Sequence, residues 1–328
     1  MNDRAVGLLE QYEIEVLRTR KGRGAILCDT NQGCLIFKEY IGNTEKVGIQ
    51  DRLLKQVTQL GKVYVENIIP AKDGELLVKD NDGTSYILKT YFEGKECNVY
   101  DKAECSEAME VLGMLHSCME LPISKGNAAA VFSPEKEYEK HNRELTKVKR
   151  FLRKKSQKTW FEISLQSTFD YFLDQALEVT EQWCEYSSAG KVRKEDLAGI
   201  YCHGDYQYHN IIKCDGKWCI INFEKCMQDN PIRDLYLLLR KLLEKSNWSV
   251  PLGQDLLAAY EAVMPISAYS RIDLYYRLAY PEKFWKIANF YYNSRKVWIP
   301  ERNYEKLEKL TAQEKEKQHF LDEIFRNM

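Results

Sequence analysis

The sequence lacks an excess of charge of either sign. Its 48 basic and 49 acidic residues leave a net charge of −1, so no global field draws it to nucleic acid or to an anionic membrane. No apolar run approaches the length needed to span a bilayer. The opening stretch, MNDRAVGLLEQYEIEVLRTR, is too charged and too interrupted to read as a secretion signal, and the cytosol is the expected place of folding. Ten cysteines are present, yet no Cys-x-x-Cys occurs. Cys202, Cys214, Cys219 and Cys226 cluster only loosely, so reduced thiols buried as small hydrophobes are favoured over disulfides or a zinc site. Internal repeats and low-complexity tracts are also missing.

What is present is an ordinary globular composition, 44% apolar and 30% charged over 328 residues. That length favours two lobes. Residues 1–92 read as β-rich with one helix. YEIEVLRT, GAILCDT and GCLIFKEY are strand-like runs, the first two joined by a turn at Lys21-Gly22-Arg23-Gly24. A helix is expected over 45–60, with Ile49, Leu53, Leu54, Val57 and Leu60 near one face. KVYVENIIP, ELLVKD and SYILKTY follow as strands, with hairpin turns at Asp73-Gly74 and Asp82-Gly83.

From Glu93 the polar connector FEGKECN leads into a mostly helical region, 93–328. SEAMEVLGMLHSC carries Met109, Leu112, Met114 and Leu115 at helical spacing. Ser133-Pro134 opens a long helix with the apolar stripe Tyr138, Leu145, Val148 and Leu152. A second, with Leu165, Phe169, Phe172, Leu173 and Ala176, should pack on it as an antiparallel pair. Two short strands are expected to flank the turn in KCDGKW. The tail from Tyr304 to Phe325 reads as a docked helix, using Leu307, Leu310, Phe320 and Leu321. The pattern predicts an α+β, two-lobed architecture of protein kinase type: a small β-rich N-lobe (1–92), a larger helical C-lobe (93–328) and an ATP cleft between them.

Phosphoryl transfer needs a carboxylate at the acceptor hydroxyl, ligands for a metal on the phosphates, and a cation to offset phosphate charge. In YCHGDYQYHN, Asp205 and Asn210 have the Asp-x-x-x-x-Asn spacing that supplies the first two. Both are therefore candidate catalytic residues. The hairpin that follows should return Asn222 and Glu224, in CIINFEK, beside Asn210. These three are the candidate metal ligands, for Mg2+ or Mn2+. An ordinary loop with capping Asp and Asn side chains is the bland alternative. Lys38, in CLIFKEY, lies on the third strand, where a phosphate-contacting lysine belongs. Gly22 and Gly24 could let the backbone approach ATP, with Lys21 and Arg23 adding charge, although a plain hairpin turn accounts for them nearly as well. Tyr91, closing SYILKTY, is counted among the candidate nucleotide contacts. Glu45 and Asp51 are candidate acid partners for Lys38. Asp234, at the start of DLYLLLRKLLEK, is expected to cap amides or brace the loop.

At these residues the sequence resembles the aminoglycoside phosphotransferase and choline kinase branch of the kinase-like superfamily, which carries His-Gly-Asp-x-x-x-x-Asn and then Ile-Asp-Phe-acid. With HGDYQYHN, INFEKC, DLYLLLRKLLEK and YPEKFWKIANFYYNSRKVWIP, the whole chain from about residue 10 is similar to CotS-type spore coat proteins. The resemblance implies a kinase-like fold, synthesis in the mother cell and deposition in the spore coat, with other coat proteins as partners. By position it assigns the catalytic aspartate to Asp205, the metal-binding asparagine to Asn210 and the strand lysine to Lys38. The metal-binding aspartate falls on Asn222, which keeps an oxygen but loses the charge that Mg2+ prefers. Glu224, two residues on and on the same side of a strand, is expected to compensate.

Two further stretches are weighed for function. The basic run KVKRFLRKKSQK (147–158) reads as a solvated helix face, with docking of an acidic acceptor as the sharper reading. The aromatics of 280–300 read as a core helix, with Phe284, Ile287, Ala288 and Tyr291 inward, rather than as a nucleic-acid surface. The expected function is ATP-dependent phosphotransfer to a hydroxyl of a small molecule or coat component. The alternative is a catalytically silent coat scaffold.

Overall fold

A computed structural model describes residues 3–22, 24–122, 134–188, 199–294 and 301–326. By packing, the chain divides into two compact units. The first comprises Met1–Asn127, Gly199–Leu238 and Leu256–Pro265, the second Ala128–Ala198, Leu239–Asp255 and Ile266–Met328.

The first unit is built on an antiparallel sheet. Strands β1 (Val16–Gly22), β2 (Ala25–Thr30) and β3 (Gly33–Glu39) form a meander, and β7 (Ser85–Thr90) pairs with β3 on its far side. The short strands β5 (Ile68–Ile69) and β6 (Val78–Lys79) both pair with β7. Strand side chains alternate between faces. Leu35 and Phe37 of β3 and Leu88 and Tyr86 of β7 therefore enter one apolar cluster with Tyr12, Ile26, Cys28 and Val78. Phe37 is fully buried, stacked on Tyr86 at 5.3 Å and edge-on to Tyr12 at 6.1 Å. Tyr12 follows a 3-10 segment, Asp3–Gln11, in a stretch expected to hold only strands and one helix. Helix α1 (Thr44–Leu60) is capped by Asn43, whose side chain accepts from the Lys46 amide. It buries Val47, Leu53, Leu54 and Val57 but leaves Leu60 exposed.

A second sheet explains why the 92/93 boundary is not where the packing divides. Strands β10 (Ile211–Cys214) and β11 (Lys217–Ile220) form the expected hairpin. On one edge β10 pairs with β8 (Lys95–Glu96), inside the supposed connector. On the other, β11 pairs in parallel with β4 (Tyr64–Val65). Hydrogen bonds thus tie the hairpin to the N-terminal third. A further pair, β9 (Tyr201–Cys202) with β12 (Met227–Gln228), frames the HGD loop. Helix α2 (Lys102–His116) buries Met109, Leu112 and Leu115 in this unit.

The second unit is helical. α3 (Pro134–Lys154) and α4 (Trp160–Tyr186) pack on each other. The partners Lys155–Glu162, Lys149–Asp170 and Asn142–Thr180 run in opposite directions along the two helices, which makes the pair antiparallel. Both expected apolar stripes are buried. Ser133, the expected cap of α3, lies outside the described residues. In the basic run, Lys149 and Arg153 pair with Asp170 and Lys155 with Glu162, while Lys147, Arg150 and Lys154 face solvent. Helices α5 (Ile232–Lys245) and α6 (Val250–Glu261) contribute to both units. α7 (Ala268–Ala279) and α8 (Glu282–Asn293) follow, and α8 buries Phe284, Ile287, Ala288 and Tyr291. The 295–300 part of the aromatic stretch lies outside the described residues. The tail is two helices rather than one, α9 (Glu301–Ala312) and α10 (Glu314–Phe325), broken at Gln313, whose side chain donates to the Glu244 carbonyl.

All ten cysteines are free thiols. No helix among the described residues is long and apolar enough to cross a membrane. Because Phe37 is enclosed by two rings and the sheet, Phe37→Ala should cost about 3–5 kcal/mol, measured as a lower urea midpoint with an unchanged slope.

Candidate functional site

The face of the main sheet opposite the Phe37 cluster carries Lys38 and Lys89. Register sets their relation. Lys38 stands opposite Ile87 and Lys89 opposite Ile36, so the two lysines are diagonal neighbours on one face. Lys89 is fully buried, and its ammonium donates to Glu66 Oε1 at 2.8 Å and to Glu224 Oε1 at 2.5 Å. Lys38 reaches the same Glu224 oxygen at 2.7 Å and Asn222 Oδ1 at 3.0 Å. Glu66 Oε1 also accepts from the Phe223 amide.

The HGD loop is braced from below by Asp234, which is fully buried and accepts from the amides of His203 (2.6 Å) and Gly204 (2.8 Å) and from His116 Nε2 (3.2 Å). Burial alone would raise its pKa. The His116 contact, the nearby His203 ring and the Gly204 amide outweigh that and hold it below its ordinary value. His203 Nδ1 accepts from the Asp205 amide, so its ring proton lies on Nε2, which donates to the Ile221 carbonyl at 2.9 Å. Gly204 has φ +79, and a Cβ there would fall 2.1 Å from the Lys225 carbonyl oxygen. Only glycine fits both demands.

Asp205 faces Lys225 Nζ (3.0 Å) and Gln207 Nε2 (2.8 Å). Asn210 donates through Nδ2 to the Asp205 carbonyl, leaving its Oδ1 to accept from Asn222 Nδ2, each at 2.8 Å. The Asn222 amide has one consistent orientation, because Lys38 can only donate and must meet its oxygen. One chain of hydrogen bonds thus runs Lys38–Asn222–Asn210–Asp205.

Several expectations change here. Asn222 and Glu224 do not share a strand. β11 ends at Ile220, Asn222 is left-handed (φ 68), and Glu224 sits in a 3-10 turn, Phe223–Lys225. Glu224 reaches the site by that turn, and its Oε1 is bound by two ammonium groups. The acid partner of Lys38 is Glu224 rather than a residue of α1. Asp51 pairs with Lys55, and Glu45 is exposed in the first turn of that helix. Gly22 pairs with Ala25 and Ala25 with Lys38, so the β1–β2 turn lies in the Lys38 row, about 10 Å away across two strand spacings. Arg23 lies outside the described residues. Tyr91 donates its amide to the Cys34 carbonyl just beyond β7, four residues or roughly 13 Å along that strand from the Lys38 row.

Sequence reasoning missed Lys89, Glu66, His116 and Lys225. The available signal was an unpaired charge inside an apolar strand run, Lys89 in SYILKTY and Glu66 in YVENIIP.

Burial pushes Glu224 upward, but Lys89 and Lys38 more than reverse this and bring its pKa from an ordinary 4.5 to about 2. A depressed carboxylate stabilises the fold above its unfolded pKa and loses that contribution as pH falls toward the folded value. Between pH 5 and 2.5 the wild type should therefore lose on the order of 2–3 kcal/mol more unfolding free energy than Glu224→Gln, measured by urea denaturation at each pH. At pH 7, Lys89→Met should cost about 3–5 kcal/mol, because it strands the buried Glu66 and leaves Glu224 with Lys38 alone.

The profile of the family described as "Spore coat putative kinase YutH" matches residues 6–324. Spore coat protein S of Bacillus subtilis (strain 168) is 27% identical over 260 residues, which are 74% of this chain and 70% of that protein. Among solved structures, an aminoglycoside phosphotransferase from Alicyclobacillus acidocaldarius subsp. acidocaldarius DSM 446 has a TM-score of 0.83 at 17% identity, covering 97% of this chain and 94% of its own. The amicoumacin kinase hAmiN, in complex with AMP-PNP, Ca2+ and Ami, has a TM-score of 0.62 at 10% identity, with coverage of 97% and 94%. At such identities the two structures speak for the fold alone, that of the aminoglycoside phosphotransferases, with an N-terminal antiparallel sheet and a helical C-terminal region. The family match spans nearly all of the sequence, and the chain belongs to the YutH/CotS-type kinase-like proteins of the spore coat.

Proposed function

We propose that this chain is an ATP-binding protein of the spore coat that transfers phosphate slowly to a hydroxyl of a small molecule or coat component. It would be made in the mother cell and deposited in the coat with other coat proteins. The observation that carries this reading is the hydrogen-bonded chain from Lys38 through Asn222 and Asn210 to Asp205. It ends on the Asp205 backbone carbonyl and so links the Lys38 ammonium to the residue whose carboxylate would take the acceptor proton. That hAmiN holds a nucleotide analogue on a similar fold is consistent with it.

The donors do not fit a tightly held divalent cation. Asn222 is neutral and donates an amide hydrogen to Asn210 Oδ1, the oxygen a metal would need. Glu224 is neutralised by two lysines. Among the described residues no group of three or more His, Cys, Asp or Glu is arranged to hold a metal. In transfer, the acceptor oxygen bonds to the γ-phosphorus as the bond to the bridging oxygen breaks. The acceptor proton passes to Asp205, freed from Lys225 and Gln207, and ADP leaves. Lys38 offsets the phosphate charge.

A second reading, a silent scaffold, is favoured by the same Glu224 clamp, which occupies Lys38. Labelled ATP with Mg2+ or Mn2+ separates the two. Slow turnover that falls roughly 10²-fold or more in Asp205→Ala supports transfer. Absence of nucleotide binding in both proteins selects the scaffold. Asn222→Asp should tighten Mg2+-ATP binding about tenfold or more, read by thermal shift, and equal affinity would count against Asn222 as the cause of the weak metal position.

A further inference from the structure

The second unit contains a cavity of about 510 Å³ formed by α5, α8 and α9. Its lining is strongly one-signed, in a chain whose basic and acidic residues otherwise balance. Helix α5 supplies Arg240, Lys241 and Lys245; α8 supplies Lys283 and Lys286; α9 supplies Lys306 and Lys309. The single lining carboxylate, Glu244, takes Arg240 at 2.6 Å and Lys283 at 3.2 Å and so fixes cations of two helices. Lys286 is held by Glu282 at 2.8 Å. Among the described residues, Lys241, Lys306 and Lys309 reach no carboxylate at ion-pair distance. Ile287 and Phe290 supply an apolar wall.

This arrangement is not needed by the fold. α8 and α9 are anchored by Phe284, Ala288 and Leu307, which are buried without any of these charges. Nor is it one solvated helix face, since three helices converge on it and Lys241 is half-buried. Burial moves the Lys241 pKa below its ordinary value. Glu244 opposes the shift, while Arg240, Lys245 and Lys283 add to it. Cations crowded into a concavity repel one another until an anion joins them, and such a concavity concentrates anions.

We propose that this cavity binds a compact polyanion, a small molecule with two or more phosphate or carboxylate groups, held between the cations of α5, α8 and α9 with its non-ionic part against Phe290. The volume lies in the range of small-molecule sites, and a concavity closed by three helices suits a compact ligand better than an extended acidic polypeptide. Phosphate and carboxylate share the recognition chemistry, charge-assisted hydrogen bonds from lysine and arginine.

Calorimetric titration of the full chain with pyrophosphate and with citrate, at fixed ionic strength, tests this. At least one should bind, and Lys306→Glu/Lys309→Glu should weaken it roughly tenfold or more. Both positions are exposed, so folding, followed by circular dichroism, should not change. Lys38→Met should retain the binding, which separates this site from the one in the first unit. Tighter pyrophosphate than citrate identifies phosphate as the natural group, and the reverse identifies carboxylate. The proposal is overturned if neither anion binds more tightly than chloride, or if the charge-reversed variant binds as well as wild type. It is overturned equally if a poly-glutamate peptide binds where both small anions fail.

Discussion

The clamp of Lys38 and Lys89 on one oxygen of Glu224 holds the candidate site together. It joins β3 and β7 of the main sheet to the turn that follows the 211–220 hairpin. Lys89 is fully buried, and an isolated ammonium there would be very unfavourable. Burial lowers its pKa, but Glu66 and Glu224 together reverse the effect and keep it charged. The network is tolerated because each ion has a partner. Glu66 further ties it to the backbone by accepting the Phe223 amide.

A second buried charge performs the matching task for the loop. Asp234 collects two loop amides and the His116 ring, and His116 is held in turn by the Tyr260 hydroxyl at 2.9 Å. His203 then links the start of the loop to Ile221, next to Asn222. Asp205 and Asn222 are thus positioned through backbone contacts made by neighbours. Positioning of this kind is what phosphoryl transfer asks of a protein. Asn222 differs from an aspartate in more than charge. An aspartate could not donate to Asn210 Oδ1, so the asparagine closes a hydrogen bond that the acid would leave open for a cation.

The helices were legible in the sequence because their stripes are long and periodic. Tyr138, Leu145, Val148 and Leu152, and the Leu165–Ala176 set, are buried as their spacing requires. The loop was legible through its spacing, and Lys38 through its strand. Two-residue strands such as β4, β8 and β9 were not, because pairing with distant partners creates them rather than local pattern. Lys89 was obscured by its strand, which is enclosed on both faces and shows no alternation to mark a charge as inward. The tail break at Gln313 left no mark in the apolar spacing, since Leu307, Leu310 and Leu321 fit one helix as well as two. Glu224 reaches the site by a turn that strand alternation does not foresee, since β11 ends four residues earlier. The α5–α8–α9 cations were hidden because each helix contributes only a few of them.

The diagonal placement of the two lysines also bears on how the sheet finds its alignment. Alternation means that sliding β7 by one residue against β3 would carry Lys89 to the other face, among Phe37, Tyr86 and their apolar neighbours. Its counter-ions would stay behind on the first. Mispaired versions of this sheet are thereby penalised electrostatically, so the same charges that hold the candidate site together also act as a proofreading device while the strands assemble.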